Sequence, residues 1–164
     1  MNKSYKTAVS GIFLALSVAI SAAESLIPLP LGVKPGFSNL PVMLSMSELN
    51  TGISLSIVIL KSVFVLLTRG TTAFFMSLSG GLLSFLIMLI IFKKTKSSFL
   101  LISVCGGLAH NIGQLTAACI LLSHTATVYY LPVLIISGCI AGTITGITAN
   151  LLIPILKPFL RRTK

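Results

Sequence analysis

The stretch G-I-S-L-S-I-V-I-L-K-S-V-F-V-L-L-T-R-G-T-T-A-F-F-M-S-L-S-G-G-L-L-S-F-L-I-M-L-I-I-F, residues 52–92, decides the class of fold. It reads as two apolar runs, Gly52 to Thr68 and Thr72 to Phe92, with Lys61 and Arg69 as its only charges. Each run is close to the roughly 20 residues that a helix needs to cross a hydrocarbon core. Further runs lie on either side: about Thr7 to Ile27, Leu40 to Leu49, Phe99 to Leu122 and Val128 to Leu156. The expectation is an all-α integral membrane protein of about six transmembrane helices in one compact bundle. Residues 1–164 form a single transmembrane domain.

Composition supports this. Of 164 residues, 55% are apolar and 9% charged, against about 25% charged in soluble domains, and mean hydropathy is +1.06. Two acids, Glu24 and Glu48, cannot cover a water-facing surface. The net charge of +10 raises nucleic-acid binding, since basic clusters attract phosphate. Position argues against it, because the cations cluster beside apolar runs, where membrane orientation uses them. With six spans and the N-terminus inside, nine of the Lys and Arg residues outside the runs fall inside and two outside. With Leu40 to Leu49 re-entrant and the N-terminus outside, the split is eight to three, so charge bias favours six spans only slightly. The expected location is the cell membrane, multi-pass, with both termini cytoplasmic. Basic clusters also suit anionic lipid head groups.

The first run could pass for a cleavable signal, with its basic start and the Ser21-Ala22-Ala23 segment. It reads instead as a retained span, because Gly11, Ala15, Ala19 and Ala23 put four small side chains on one helical face. Pro28 and Pro30 end it, and Leu29 to Pro41 is a loop rich in proline and glycine. Gly138, Gly142 and Gly146 form a second small-residue ridge, with Pro154 and Pro158 expected to kink or end that helix. Cys105, Cys119 and Cys139 read as small packing residues.

Ionisable groups within membrane helices are costly, so each is a candidate functional residue. Glu24, Lys34 and Arg69 fall on the outer side of a six-span chain, where Lys34 and Arg69 suit an anionic ligand group. Snorkelling to water accounts for them equally well. Lys61 lacks an evident partner, Glu24 being one possibility. His110, Asn111 and Gln114 make the densest polar patch in any run, read either as ligand contacts or as an interhelical clamp. A lone histidine without partners at ligand spacing is poor evidence for metal, so no metal and no cofactor is expected. Neither a phosphate-binding G-x-x-x-x-G-K-[ST] loop nor a G-x-S-x-G element is present, and no carboxylate cluster exists to hold magnesium. The chain is therefore expected not to be an enzyme.

The segments G-V-K-P-G-F-S-N (32–39), R-G-T-T-A-F-F-M-S-L-S-G-G-L-L-S (69–84) and G-G-L-A-H-N-I-G-Q-L (106–115) resemble the bacterial Gx transporter family. That family is also catalogued as heptaprenyl diphosphate synthase component I, and the likeness covers nearly the whole chain. It is similar in turn to the substrate-binding S components of energy-coupling factor transporters. The resemblance implies six helices, a ligand toward the outer face under the loop joining the first two helices, and an A-x-x-x-A face on helix one. That face contacts a transmembrane partner subunit; Ala15, Ala19 and Ala23 match it here. The implied ligand contacts are Lys34 and Asn39 on the loop, with Arg69, His110, Asn111 and Gln114 read from the residues. The implied function is a substrate-binding or permease subunit for a small molecule, working with separate coupling and ATPase subunits. One alternative is a non-catalytic membrane accessory of heptaprenyl diphosphate synthesis, since prenyl diphosphate synthases use aspartate-rich motifs and this chain has no aspartate. Another is a membrane subunit of an electron-transfer assembly, although no haem or cluster ligand set is present.

Overall fold

The computed structural model describes residues 3–27, 34–95, 97–122 and 129–161. Its regular elements are all helical: α1 (Lys3–Glu24), α2 (Leu40–Glu48), α3 (Thr51–Lys94), α4 (Phe99–Leu122) and α5 (Leu131–Arg161). A 3-10 turn, Phe37–Asn39, leads into α2. Four of these, all but α2, are long and apolar enough to cross a membrane.

The 44 residues of α3 would span about 66 Å as one straight rod, more than twice the hydrocarbon thickness. They fold double instead. Gly70 takes φ 83°, ψ −176°, which breaks the helix where glycine alone carries no Cβ penalty. Ser62 and Ser77 then share a hydrogen bond of 3.3 Å, although 15 residues of straight helix would separate them by about 22 Å. Farther from the bend, a Cβ on Gly81 would lie 2.9 Å from Val58 Cγ1. Residues 51–69 and 71–94 are thus antiparallel arms of a hairpin with Arg69 at its tip. The break matches the two runs read from the sequence.

The expected count of about six spans is another matter. At nine residues, α2 is only about 13 Å long, too short to cross alone. Pro41 starts it, where a missing N–H is harmless. Asn39 stands at its N-cap without capping, because its side chain is committed elsewhere.

Helix α4 packs between the second arm of α3 and α5. A Cβ on Gly113 would meet Gly80 Cα at 2.8 Å, and one on Gly107 would meet Gly138 O at 2.7 Å. The glycine ridge of α5 is therefore the surface that seats on α4, with backbones in direct contact. The helix continues through Pro154 and Pro158 to Arg161 and ends at neither. The small-residue face of α1 has the opposite fate: Gly11, Ala15, Ala19 and Ala23 are all exposed, while Val9, Phe13, Ser17, Ser21 and Glu24 face the bundle.

The bundle has two unlike ends. Tyr5 donates to the Phe159 carbonyl at 3.3 Å, so the start of α1 and the end of α5 lie together. Around them sits an apolar core that includes Val9, Phe13, Met46, Met88 and Ile153. At the opposite end the buried side chains are largely polar, and that end holds the candidate site.

Candidate functional site

The polar end is organised by the segment 34–39, which tucks between α1, α3 and α4. Glu24 closes α1 and turns its carboxylate toward this segment. Its Oε1 accepts from the backbone N–H of Gly36 at 2.6 Å and of Phe37 at 2.5 Å. Lys34 reaches back to α1, donating from Nζ to both the carbonyl and the hydroxyl of Ser21, each at 2.7 Å. The Ser17 hydroxyl donates to the Ser38 carbonyl at 2.8 Å. Gly36 has φ 101°, a conformation that favours glycine, and a Cβ there would crowd the His110 ring at 3.2 Å.

A second layer fixes the segment from α3 and α4. The Lys34 backbone N–H donates to Gln114 Oε1 at 2.8 Å. That commitment leaves the Gln114 amide nitrogen facing His110 Nε2 at 2.7 Å, so it must donate and the ring must accept. His110 is consequently a neutral imidazole with its proton on Nδ1. Lys61 is 1% exposed and donates from Nζ to Ser38 Oγ at 3.3 Å and Asn39 Oδ1 at 3.2 Å. Its hydrogen bonds thus go to the 3-10 turn rather than to Glu24. Asn39 Nδ2 in turn donates to Ser84 Oγ at 3.1 Å. Asn111 points the other way and clamps α4 to α5 through the Leu134 carbonyl at 2.6 Å. Among the described residues, three buried polar atoms have no partner: Glu24 Oε2, His110 Nδ1 and Asn111 Oδ1.

Two of the cavities along the segment are lined by Lys34. One, of about 170 Å³, is walled by Lys34, Arg69, Thr72, Ser77 and Gln114 among others. The other, of about 280 Å³, lies between α1 and the first arm of α3, with Ser21, Ala22, Phe64 and Thr68 on its walls. Lys34 and Arg69 line both. Burial pushes the Lys34 ammonium down to about 8, with Arg69 acting in the same direction and Glu24 against it. Arg69 is exposed at the hairpin tip.

Of the expected ligand contacts, then, Lys34, Arg69 and Gln114 meet at a cavity. Asn39, His110 and Asn111 stand behind it and hold the elements that form its wall. Glu24 lines a different, mostly apolar cavity between α1 and α5. Sequence reasoning passed over Ser17, Ser21, Ser38 and Ser84, which anchor the segment. A signal existed for the first two: Ser17, Ser21 and Glu24 fall at i, i+4 and i+7, a polar stripe along α1. Among the described residues no group of three or more His, Cys, Asp or Glu gathers closely enough to hold a metal ion.

The family model described as heptaprenyl diphosphate synthase component I matches residues 13–152. The chain belongs to that family. The match takes in α1 from Phe13, the whole polar segment and α5 as far as Leu152, so the site lies wholly inside it. No curated protein and no solved structure matches the chain. The family is that of a non-catalytic component, and the chain is not itself an enzyme.

Proposed function

We propose that this protein is the non-catalytic membrane component of a prenyl diphosphate synthesis, presenting the membrane to a soluble catalytic subunit. The observation that carries this reading is the family match over 13–152 in a chain without a single aspartate. Synthesis of a diphosphate ester needs carboxylates to hold its magnesium, and these must come from a partner. The membrane topology in this reading has six passes. The start of α1 lies beside the end of α5, which supports an even number of crossings, with α2 and its flanking turn completing one return. Lys3, Lys6, Lys93, Lys94 and Lys157 stand at the shared end, against Lys34 and Arg69 at the other. The excess of cations orients the termini to the cytoplasm. In a reconstituted pair with a soluble prenyl synthase, long-chain product is expected from the two proteins together and from neither alone. Equal product from the synthase with empty vesicles would end this reading.

One observation favours a second reading, a substrate-binding or permease subunit of S-component type. The small-residue face of α1 is free while the equivalent ridge of α5 is buried, as a docking face for a coupling subunit would require. In this reading the ligand sits beside the segment 34–39 against Lys34, Arg69 and Gln114, with Asn39 and His110 holding the wall behind them. The double variant Ala15→Trp, Ala19→Trp is expected to fold normally and to lose co-purification with a coupling subunit. Undiminished complex formation in that variant rules out the docking face.

A further inference from the structure

The two cavities beside Lys34, of about 170 and 280 Å³, lie at or below the low end of the roughly 300–1,000 Å³ of small-molecule sites. Either has room for a compact head group. The lining selects its charge. Lys34, Lys61 and Arg69 share this end of the bundle with one acid, Glu24, whose Oε1 is already held by two backbone N–H groups. A lysine ammonium has three donors. Two from Lys34 go to Ser21, and the third has no partner among the described residues. No hydrogen bond from Arg69 to another described residue competes with a ligand for its guanidinium, whose planar fork suits phosphate oxygens. The Thr72 side chain stands on the same wall as a further hydroxyl.

The larger cavity also has a direction. It lies between α1 and the first arm of α3, where Ala22 and Thr68 are exposed and Phe64 is 39% exposed. Leu60 and Leu67 on the same arm are exposed as well, at 50% and 80%, which marks this side as lipid-facing. A group seated at Lys34 and Arg69 therefore has an exit sideways into the bilayer, past Phe64. Arg69 stands at the tip of the α3 hairpin and Lys34 on the segment before the 3-10 turn, both at the polar end of the bundle.

We propose that Lys34 and Arg69 hold the phosphate or diphosphate head of a membrane amphiphile, whose apolar chain leaves between α1 and α3 past Phe64. This deepens the first reading above and rests on it only for choosing a prenyl chain as the probe. The site accepts any phosphorylated amphiphile by the same chemistry, so a bilayer phospholipid and a prenyl diphosphate are distinguished by experiment.

The test uses the full chain in nanodiscs of neutral lipid, with binding measured by calorimetry. Farnesyl diphosphate is expected to bind at least tenfold more tightly than inorganic pyrophosphate, and farnesol not measurably. Arg69→Gln, at an exposed position, should weaken both diphosphates about tenfold without changing the melting temperature. Ala22→Trp, which narrows the slot from an exposed position, should lower farnesyl diphosphate to the level of pyrophosphate and leave pyrophosphate unchanged. Competition by phosphatidic acid supports the shared site, and tighter binding of phosphatidic acid than of farnesyl diphosphate assigns it to bilayer lipid. Equal binding of pyrophosphate and farnesyl diphosphate would overturn the lateral exit. Equal binding of farnesol, or an Arg69→Gln protein that binds like wild type, would overturn the head-group site. None of these outcomes depends on whether a soluble synthase is recruited, so the two proposals fail separately.

Discussion

Glu24→Ala is expected to lower the stability of this protein by about 3–5 kcal/mol, the range seen when one partner of a buried charge network is removed. Two losses combine. Glu24 is 2% exposed, and its Oε1 is the acceptor for the backbone N–H groups of Gly36 and Phe37. Alanine leaves both donors without that acceptor. It also removes the only acid at an end of the bundle that holds Lys34 and Lys61, both buried, since Glu48 lies at the far end of α2. Glu24→Gln separates the two effects, because its carbonyl can still accept from the backbone while the negative charge is gone. The expected order of melting temperature in detergent is wild type, then Gln, then Ala. For a chain of this size the Ala variant should fall by roughly 10 °C. A Gln variant as stable as wild type would mean that Lys34 and Lys61 do not need the charge. An Ala variant as stable as wild type would remove Glu24 as the anchor of the segment.

The hairpin of α3 shows what was legible in the sequence. Its apolar runs stop on either side of Arg69, Gly70 and Thr71, and chain chemistry alone puts the break there: a cation that avoids lipid beside a residue free to take positive φ. The partners of Lys61 were not legible. They are Ser38 and Asn39, 23 and 22 residues away and reached only after the loop has turned back into the bundle. Nothing in local spacing announces such a contact. Serine adds to the difficulty, since Ser17 and Ser21 read as small packing residues in a membrane helix until their acceptors and donors are known. The patch at 110–114 was visible as a patch, but its division was not: Asn111 faces α5, while His110 and Gln114 face the 34–39 segment.

The two small-residue ridges mark the sharpest limit of pattern reading, and they carry the second large prediction. Gly11, Ala15, Ala19, Ala23 and Gly138, Gly142, Gly146 have the same four-residue spacing, yet only the second is buried. Spacing says that a face is thin; it does not say what lies against it. At Gly142 a Cβ would sit 2.6 Å from Val104 Cα and 2.9 Å from the Ser103 carbonyl, both backbone atoms that no rotamer change can move. Gly142→Leu must therefore drive α4 and α5 apart. That separation would strain the Asn111 bond to Leu134 and the contact of Gly107 with Gly138. Overpacking usually costs about 1–3 kcal/mol. A backbone-to-backbone contact belongs at or above the top of that range, because membrane helices associate largely through such close packing. Gly11→Leu is the matched control, since nothing lies within 4 Å of a Cβ there. Its stability should stay within about 0.5 kcal/mol of wild type, as for other open surface positions. Melting temperature and size-exclusion profile in detergent check both variants. A Gly142→Leu protein that melts with wild type would mean that the α5 ridge is not a contact. A Gly11→Leu protein that melts early would mean that α1 is covered in the isolated chain, leaving no free face for a partner to use.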